Sequence, residues 1–89
     1  MKLKVIKGVF DSIILETDAI NLLDWKYDDQ NCSVIIEGSI RDFRLLTDEL
    51  DGLIGIRGID DEGEINYFGL AMERIIDDIE KEAGDDIWE

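Results

Sequence analysis

The chain has 89 residues, of which 45% are apolar and 36% charged, with no proline and no histidine. That length bounds it to one domain spanning 1–89, and the apolar fraction is that of a globular rather than a disordered chain. With 23 acidic side chains against 9 basic ones the net charge is −14 at pH 7, which argues against direct binding to nucleic acid or an anionic membrane and favours a basic protein or a cation.

The first ten residues hold Lys2, Lys4 and Lys7 and no acid, leaving 23 acids against 6 bases, a balance of −17, in the other 79. Leu3 and Val5 alternate with Lys2 and Lys4, so Met1 to Phe10 reads as a strand, with Gly8 allowing a bulge. Asp11-Ser12 reads as a turn, and Ile13 to Thr17 as a second strand antiparallel to the first. Residues 17–21 fit a turn or a short helical connection. Leu23, Trp25 and Tyr27 then alternate with Asp24 and Lys26. After the polar turn Asp28 to Asn31, Cys32, Val34 and Ile36 alternate with Ser33, Ile35 and Glu37. Two such arms around a four-residue turn predict a hairpin, and the apolar second arm predicts a central strand. Cys32 reads as a buried small hydrophobe, and a lone cysteine forms no internal disulfide and suits a reducing compartment.

At Gly38-Ser39 the period changes. Ile40, Phe43, Leu46 and Leu50 recur at helical spacing, with Ser39 as N-cap to the Asp42 N–H and Gly52 as the stop. Arg44 is placed to meet Asp48 one turn on. The β-branched, glycine-rich run Leu53 to Ile59 fits a strand, with a loop as the alternative. A phosphate-cradling loop needs a following Lys, Ser or Thr, and acids follow instead.

The last helix has the clearest period. Ile65, Phe68, Met72, Ile75, Ile76, Ile79 and Ala83 fall on one arc of a helical wheel, and Glu73, Asp77 and Glu80 form a ridge along its flank. Tyr67, Leu70 and Ala71 fall on the far side. Gly84 ends the helix before an acidic tail that carries Trp88. The expected fold is α+β: a mostly antiparallel sheet of four to five strands with two helices packed on one face, in the order β-β-β-β-α-β-α.

Chemistry is sparsely supplied. Without histidine no Ser–His or Cys–His pair can be built, so a non-enzymatic protein without cofactor or metal is expected. Residues 60–65 resemble a calcium loop, but placing Gly63 at the sixth position puts glycines at the first and twelfth, where ligands belong. A divalent-cation binder is therefore the third reading only. No apolar run reaches membrane-spanning length and no signal-peptide core is present, so a cytoplasmic location is the default.

The remaining feature is the carboxylate array. Asp60, Asp61, Glu62 and Glu64, followed by Glu73, Asp77 and Glu80, set seven acids along one loop and one helix flank, with Tyr67 and Trp88 as aromatic anchors. The helix acids span about 10 Å at 1.5 Å per residue, a spacing at which carboxylates can stand in for phosphates. The expected function is a small acidic inhibitor of a basic, nucleic-acid-handling partner such as a nuclease or nucleic-acid-binding protein. Phage counter-defence proteins (anti-CRISPR or anti-restriction DNA mimics) and immunity proteins or antitoxins of nuclease toxins share this profile of size and charge. The alternative is a non-enzymatic adaptor or self-associating domain, a homodimer through sheet edges or the Tyr67–Leu70 patch.

Overall fold

The computed structural model describes residues 1–84. The chain is α+β, with β1 (Lys2–Ile6), α1 (Lys7–Ile14), a 3-10 segment (Ala19–Leu22), β2 (Asp24–Asp28), β3 (Ser33–Glu37), α2 (Ile40–Arg57) and α3 (Tyr67–Ala83) in that order. Among the described residues the sheet has three antiparallel strands ordered β1-β3-β2 and is joined by three helices, where four to five strands and two helices were expected.

The hairpin forms as its alternation predicts. β2 pairs antiparallel with β3, Trp25 opposite Ile36 and Tyr27 opposite Val34, and β1 closes the other side with Leu3 opposite Ile36 and Val5 opposite Val34. These residues share one face. Leu3, Val5, Val34 and Ile36 are buried on it, against Phe43, Leu46, Leu50 and the α3 stripe. On the opposite face Lys2, Lys4, Lys26 and Glu37 are exposed. The result is a two-layer slab of 36 × 35 × 21 Å. Cys32 departs from expectation: it occupies the turn with φ +50° and is exposed, because the inward alternation of β3 begins only at Val34.

The expected second strand does not form: Lys7 to Phe10, expected as strand, Asp11-Ser12, expected as a turn, and Ile13-Ile14 together make a helix, and residues 15–17 lie beyond its end. The chain passes from β1 into α1 at Lys7, and Phe10 and Ile13 become fully buried while Leu15 is 90% exposed. The apolar pairs Val9/Phe10 and Ile13/Ile14 lie one turn apart, a helical spacing that the β-branched composition had masked. Burial explains the outcome: as a helix the segment lays the Phe10 ring 5.7 Å from Trp25 and 5.9 Å from Tyr27. Thr17 Oγ1 donates to the Ile13 carbonyl at 3.0 Å and closes the end.

Tyr27 also donates its phenol to Asp11 Oδ1 at 3.3 Å. Desolvation, then the Asp11 charge and this hydrogen bond, raise the Tyr27 phenol above its ordinary value. A group with a raised folded value contributes stability below its unfolded value and loses it as pH climbs through the folded one. In a Tyr67→Phe background, where the phenolate absorbance reports Tyr27 alone, Asp11→Asn is expected to move the alkaline midpoint down. An unmoved midpoint would show that the Asp11 contact is absent in solution.

The second helix continues beyond Gly52, the expected stop, so that within the run Leu53 to Ile59, expected as strand or loop, residues 53–57 are helical. Ser39 caps its start as predicted, accepting from the Asp42 N–H at 3.1 Å. Leu53 and Ile54 extend the stripe of Phe43, Leu46 and Leu50 and pack against the core. Each interior glycine costs about 1 kcal/mol in a helix, whereas fully burying an aliphatic side chain contributes about 1.5–3 kcal/mol; the half-buried Leu53 and Ile54 each contribute part of that, which offsets the propensity. Gly58 ends α2, its N–H donating to the carbonyls of Ile54 (2.9 Å) and Leu53 (3.2 Å).

A short turn then joins α2 to α3. Ile59 and Ile65 form an isolated antiparallel bridge, and Asn66 caps α3 by accepting from the Gly69 N–H at 2.9 Å while its Nδ2 donates to the Arg57 carbonyl at 2.8 Å. One side chain thus ties the end of α2 to the start of α3. The helices come so close here that a Cβ on Gly69 would lie 2.5 Å from the Gly58 carbonyl oxygen and 2.6 Å from Ile65 Cγ1. Arg57 completes the junction, ion-paired to Glu16 with its guanidinium 5.1 Å from the Phe68 ring centre.

Candidate partner-binding surfaces

The turn from Ile59 to Ile65 displays Asp61, Glu62 and Glu64 to solvent but uses Asp60 internally. Asp60 Oδ1 accepts from the N–H groups of Glu62 and Glu64, both at 2.9 Å, and its own N–H donates to the Glu64 carbonyl at 2.7 Å. Gly63 sits at φ +84°, a left-handed conformation that glycine adopts without a Cβ penalty. Asp60, itself exposed, therefore shapes the turn through one carboxylate oxygen, and Asp61, Glu62 and Glu64 stand exposed beside it.

Along α3 the apolar stripe is realised: Met72, Ile75, Ile76, Ile79 and Ala83 are buried, with Ile65 and Phe68 half-buried at its start. Glu73 and Asp77 are exposed and Glu80 is half-buried. Among the described residues the ion pairs are Lys2–Glu37, Lys7–Asp11 and Arg57–Glu16. None of them engages Glu73, Asp77, Glu80 or the turn acids, so this charge has no internal counter-charge at contact distance. The Arg44–Asp48 pair expected on α2 is not among them. Tyr67, at the first position of α3, is 92% exposed, and Leu70 follows one turn on at 49%. Ala71 departs from the expected far side and packs against the core, on the wall of a cavity of about 150 Å³ that Val5, Val9, Arg74, Ile75 and Asp78 also line. Trp88 lies outside the described residues.

Sequence reasoning missed a second surface. Glu49 of α2 reaches back some thirty residues in the chain, its Oε2 accepting from the N–H groups of Asp18 (2.9 Å) and Ala19 (3.1 Å). It thereby caps the 3-10 segment from another element, and no local pattern announces such a contact. Leu22 and Leu45 stand at the surface on either side of this clamp. The only sequence signal was Leu45 itself, an apolar residue beside the α2 stripe rather than in it.

Among the described residues no three His, Cys, Asp or Glu side chains are grouped so as to hold a metal ion, and no helix is long and apolar enough to cross a membrane. No protein-family model, curated protein or solved structure matches the chain.

Proposed function

We propose that this protein is a small, non-enzymatic inhibitor that binds the basic site of a nucleic-acid-handling protein through its acidic surface, in the manner of a phage counter-defence protein or a nuclease-toxin immunity protein. The observation that carries the reading is the unpaired charge: the turn acids and the α3 flank lie along one continuous segment, and among the described residues none has a basic side chain within ion-pair distance. Self-repulsion in a chain of net charge −14 disfavours the compact free state, and a basic partner relieves it. Carboxylates repeated along a rigid helix meet lysines and arginines that otherwise hold phosphates. The compartment proposed is the cytoplasm, and neither cofactor nor metal enters the scheme.

Steering by such a surface acts on the association rate and fades with salt. The partner is to be captured from the native host and tested for nuclease or DNA-binding activity. Against it, the triple variant Glu73→Gln, Asp77→Asn, Glu80→Gln is expected to associate about tenfold more slowly at low salt. An unchanged rate and salt slope would remove this face from the interface.

Self-association, through a sheet edge or the Tyr67–Leu70 patch, is the competing reading, and the β1 edge is built against it. Met1 and Gly38 exchange both backbone hydrogen bonds (3.0 and 3.1 Å), and Lys7 donates to Cys32 at 2.9 Å. By the alternation of an antiparallel ladder, Lys2 and Lys4 then turn their own N–H and C=O groups to the open side of β1. A two-fold pairing of two such edges sets lysine rows against each other, an unfavourable arrangement. Light scattering is accordingly expected to find a monomer at both low and high salt.

A further inference from the structure

The groove between the 3-10 segment and α2 goes beyond the acidic face of α3. It is a shallow, open depression of about 380 Å³ lined by Asp18, Ala19, Leu22, Leu45, Asp48 and Glu49. Leu22 is 57% and Leu45 43% exposed, so two branched aliphatic side chains face solvent between three carboxylates. The Glu49 hydrogen bonds to Asp18 and Ala19 hold the two walls together before any partner arrives. A pre-formed groove of this kind loses little freedom on binding.

We propose that this groove seats a cationic amphipathic segment of a protein partner: one or two aliphatic or aromatic side chains on Leu22 and Leu45, flanked by lysines or arginines against Asp18 and Asp48. The charge pattern selects the occupant. A second copy docked through the same groove would bring three carboxylates against three carboxylates, and an acidic or neutral peptide leaves these carboxylates unmatched. Tyr67 and Leu70 adjoin the acids of α3, and a second apolar anchor would add to them: surface charge mainly governs encounter, whereas a desolvated apolar anchor governs how long a complex lasts. The groove supplies that anchor. This assignment stands whether or not the partner handles nucleic acid.

Two capped hexapeptides of equal charge test it on the isotope-labelled full chain, Ac-KKLFKK-NH2 and Ac-KKSSKK-NH2. The first is expected to shift the amide signals of Ala19, Leu22, Leu45 and Glu49 saturably, and to bind at least tenfold more tightly than the second. The variants Leu45→Ser and Leu22→Ser are each expected to weaken the first peptide at least fivefold while leaving the second unaffected. Both positions are substantially exposed, and an unchanged melting temperature would show that the fold persists. If one variant fails to fold, the other and Asp48→Asn carry the test. Equal affinity for the two peptides, or shifts centred on the α3 acids or on the β1–α3 cavity, would overturn the proposal. Loss of partner binding in the α3 triple variant with no effect of Leu45→Ser on complex lifetime would retain the inhibitor reading and reject the groove.

Discussion

Gly69→Ala is expected to lower the melting temperature by roughly 10–20 °C, whereas Gly52→Ala and Gly55→Ala are each expected to raise it by a few degrees. A Cβ at Gly69 meets the Gly58 carbonyl oxygen at 2.5 Å and the Gly58 Cα at 3.0 Å, and backbone cannot rotate away as a side chain can. Overpacking of this kind costs about 1–3 kcal/mol, and in a domain of this size each kcal/mol moves the midpoint by about 4–8 °C. Gly58→Ala should behave likewise, since its Cβ would lie 2.8 Å from Gly69 Cα. At Gly52 and Gly55 an added Cβ meets nothing within 4 Å, and alanine is favoured over glycine in a helix interior by about 0.5–1 kcal/mol. Thermal melts of the four single variants check the pattern. If all four shift in the same direction, the Gly58–Gly69 contact is not present in solution.

Phe10→Ala is expected to cost about 3–5 kcal/mol, the range for a buried phenylalanine. The whole stability of 89 residues at about 0.05–0.15 kcal/mol per residue is about 4–13 kcal/mol, so this one change leaves a large fraction of the protein unfolded on warming. Phe10 is fully buried and touches the aromatic face of the hairpin through Trp25 and Tyr27. Chemical denaturation followed by circular dichroism measures the loss. The companion variant Leu15→Ser separates helix from strand. On a strand Ile13 and Leu15 would share a face, so Leu15→Ser would be costly. As the C-cap residue of α1, Leu15 is exposed to solvent, and the change should stay within about 0.5 kcal/mol.

The parts legible in the sequence were those where one local pattern met no rival. The β2–β3 hairpin, the inward set Leu3, Val5, Val34 and Ile36, the Ser39 cap and the α3 stripe all emerge from alternation or helical spacing alone. Elsewhere two local signals disagreed and tertiary packing decided. Gly8 and the run Ile13-Ile14-Leu15 argued for strand, yet Phe10 could cover Trp25 and Tyr27 only from a helix. Gly52 and Gly55 argued for an ending, yet Leu53 and Ile54 continued a stripe that α3 covers. The Gly58–Gly69 approach and the Glu49 clamp join residues far apart in the chain and leave no local trace. For the candidate surfaces, the sequence supplied the acids but not their duties. Asp60 proved to shape its turn, and the Leu22–Leu45 groove exists only because α2 lies beside the 3-10 segment.

The position of β3 in the middle of the sheet bears on how the chain folds during synthesis. The central strand is the last of the three to be made, so β1 has no sheet partner until Ser33 to Glu37 emerge. At about 5–20 residues per second the ribosome takes roughly 2–6 s to cover that interval. Leu3, Val5, Phe10 and Ile13 stay uncovered meanwhile, within reach of chaperones. The β2–β3 hairpin closes over a short loop, and β1 joins it afterwards by a closure of some thirty residues. The lysines of β1 then have a second use: they set charge on the strand that waits longest for its sheet partner.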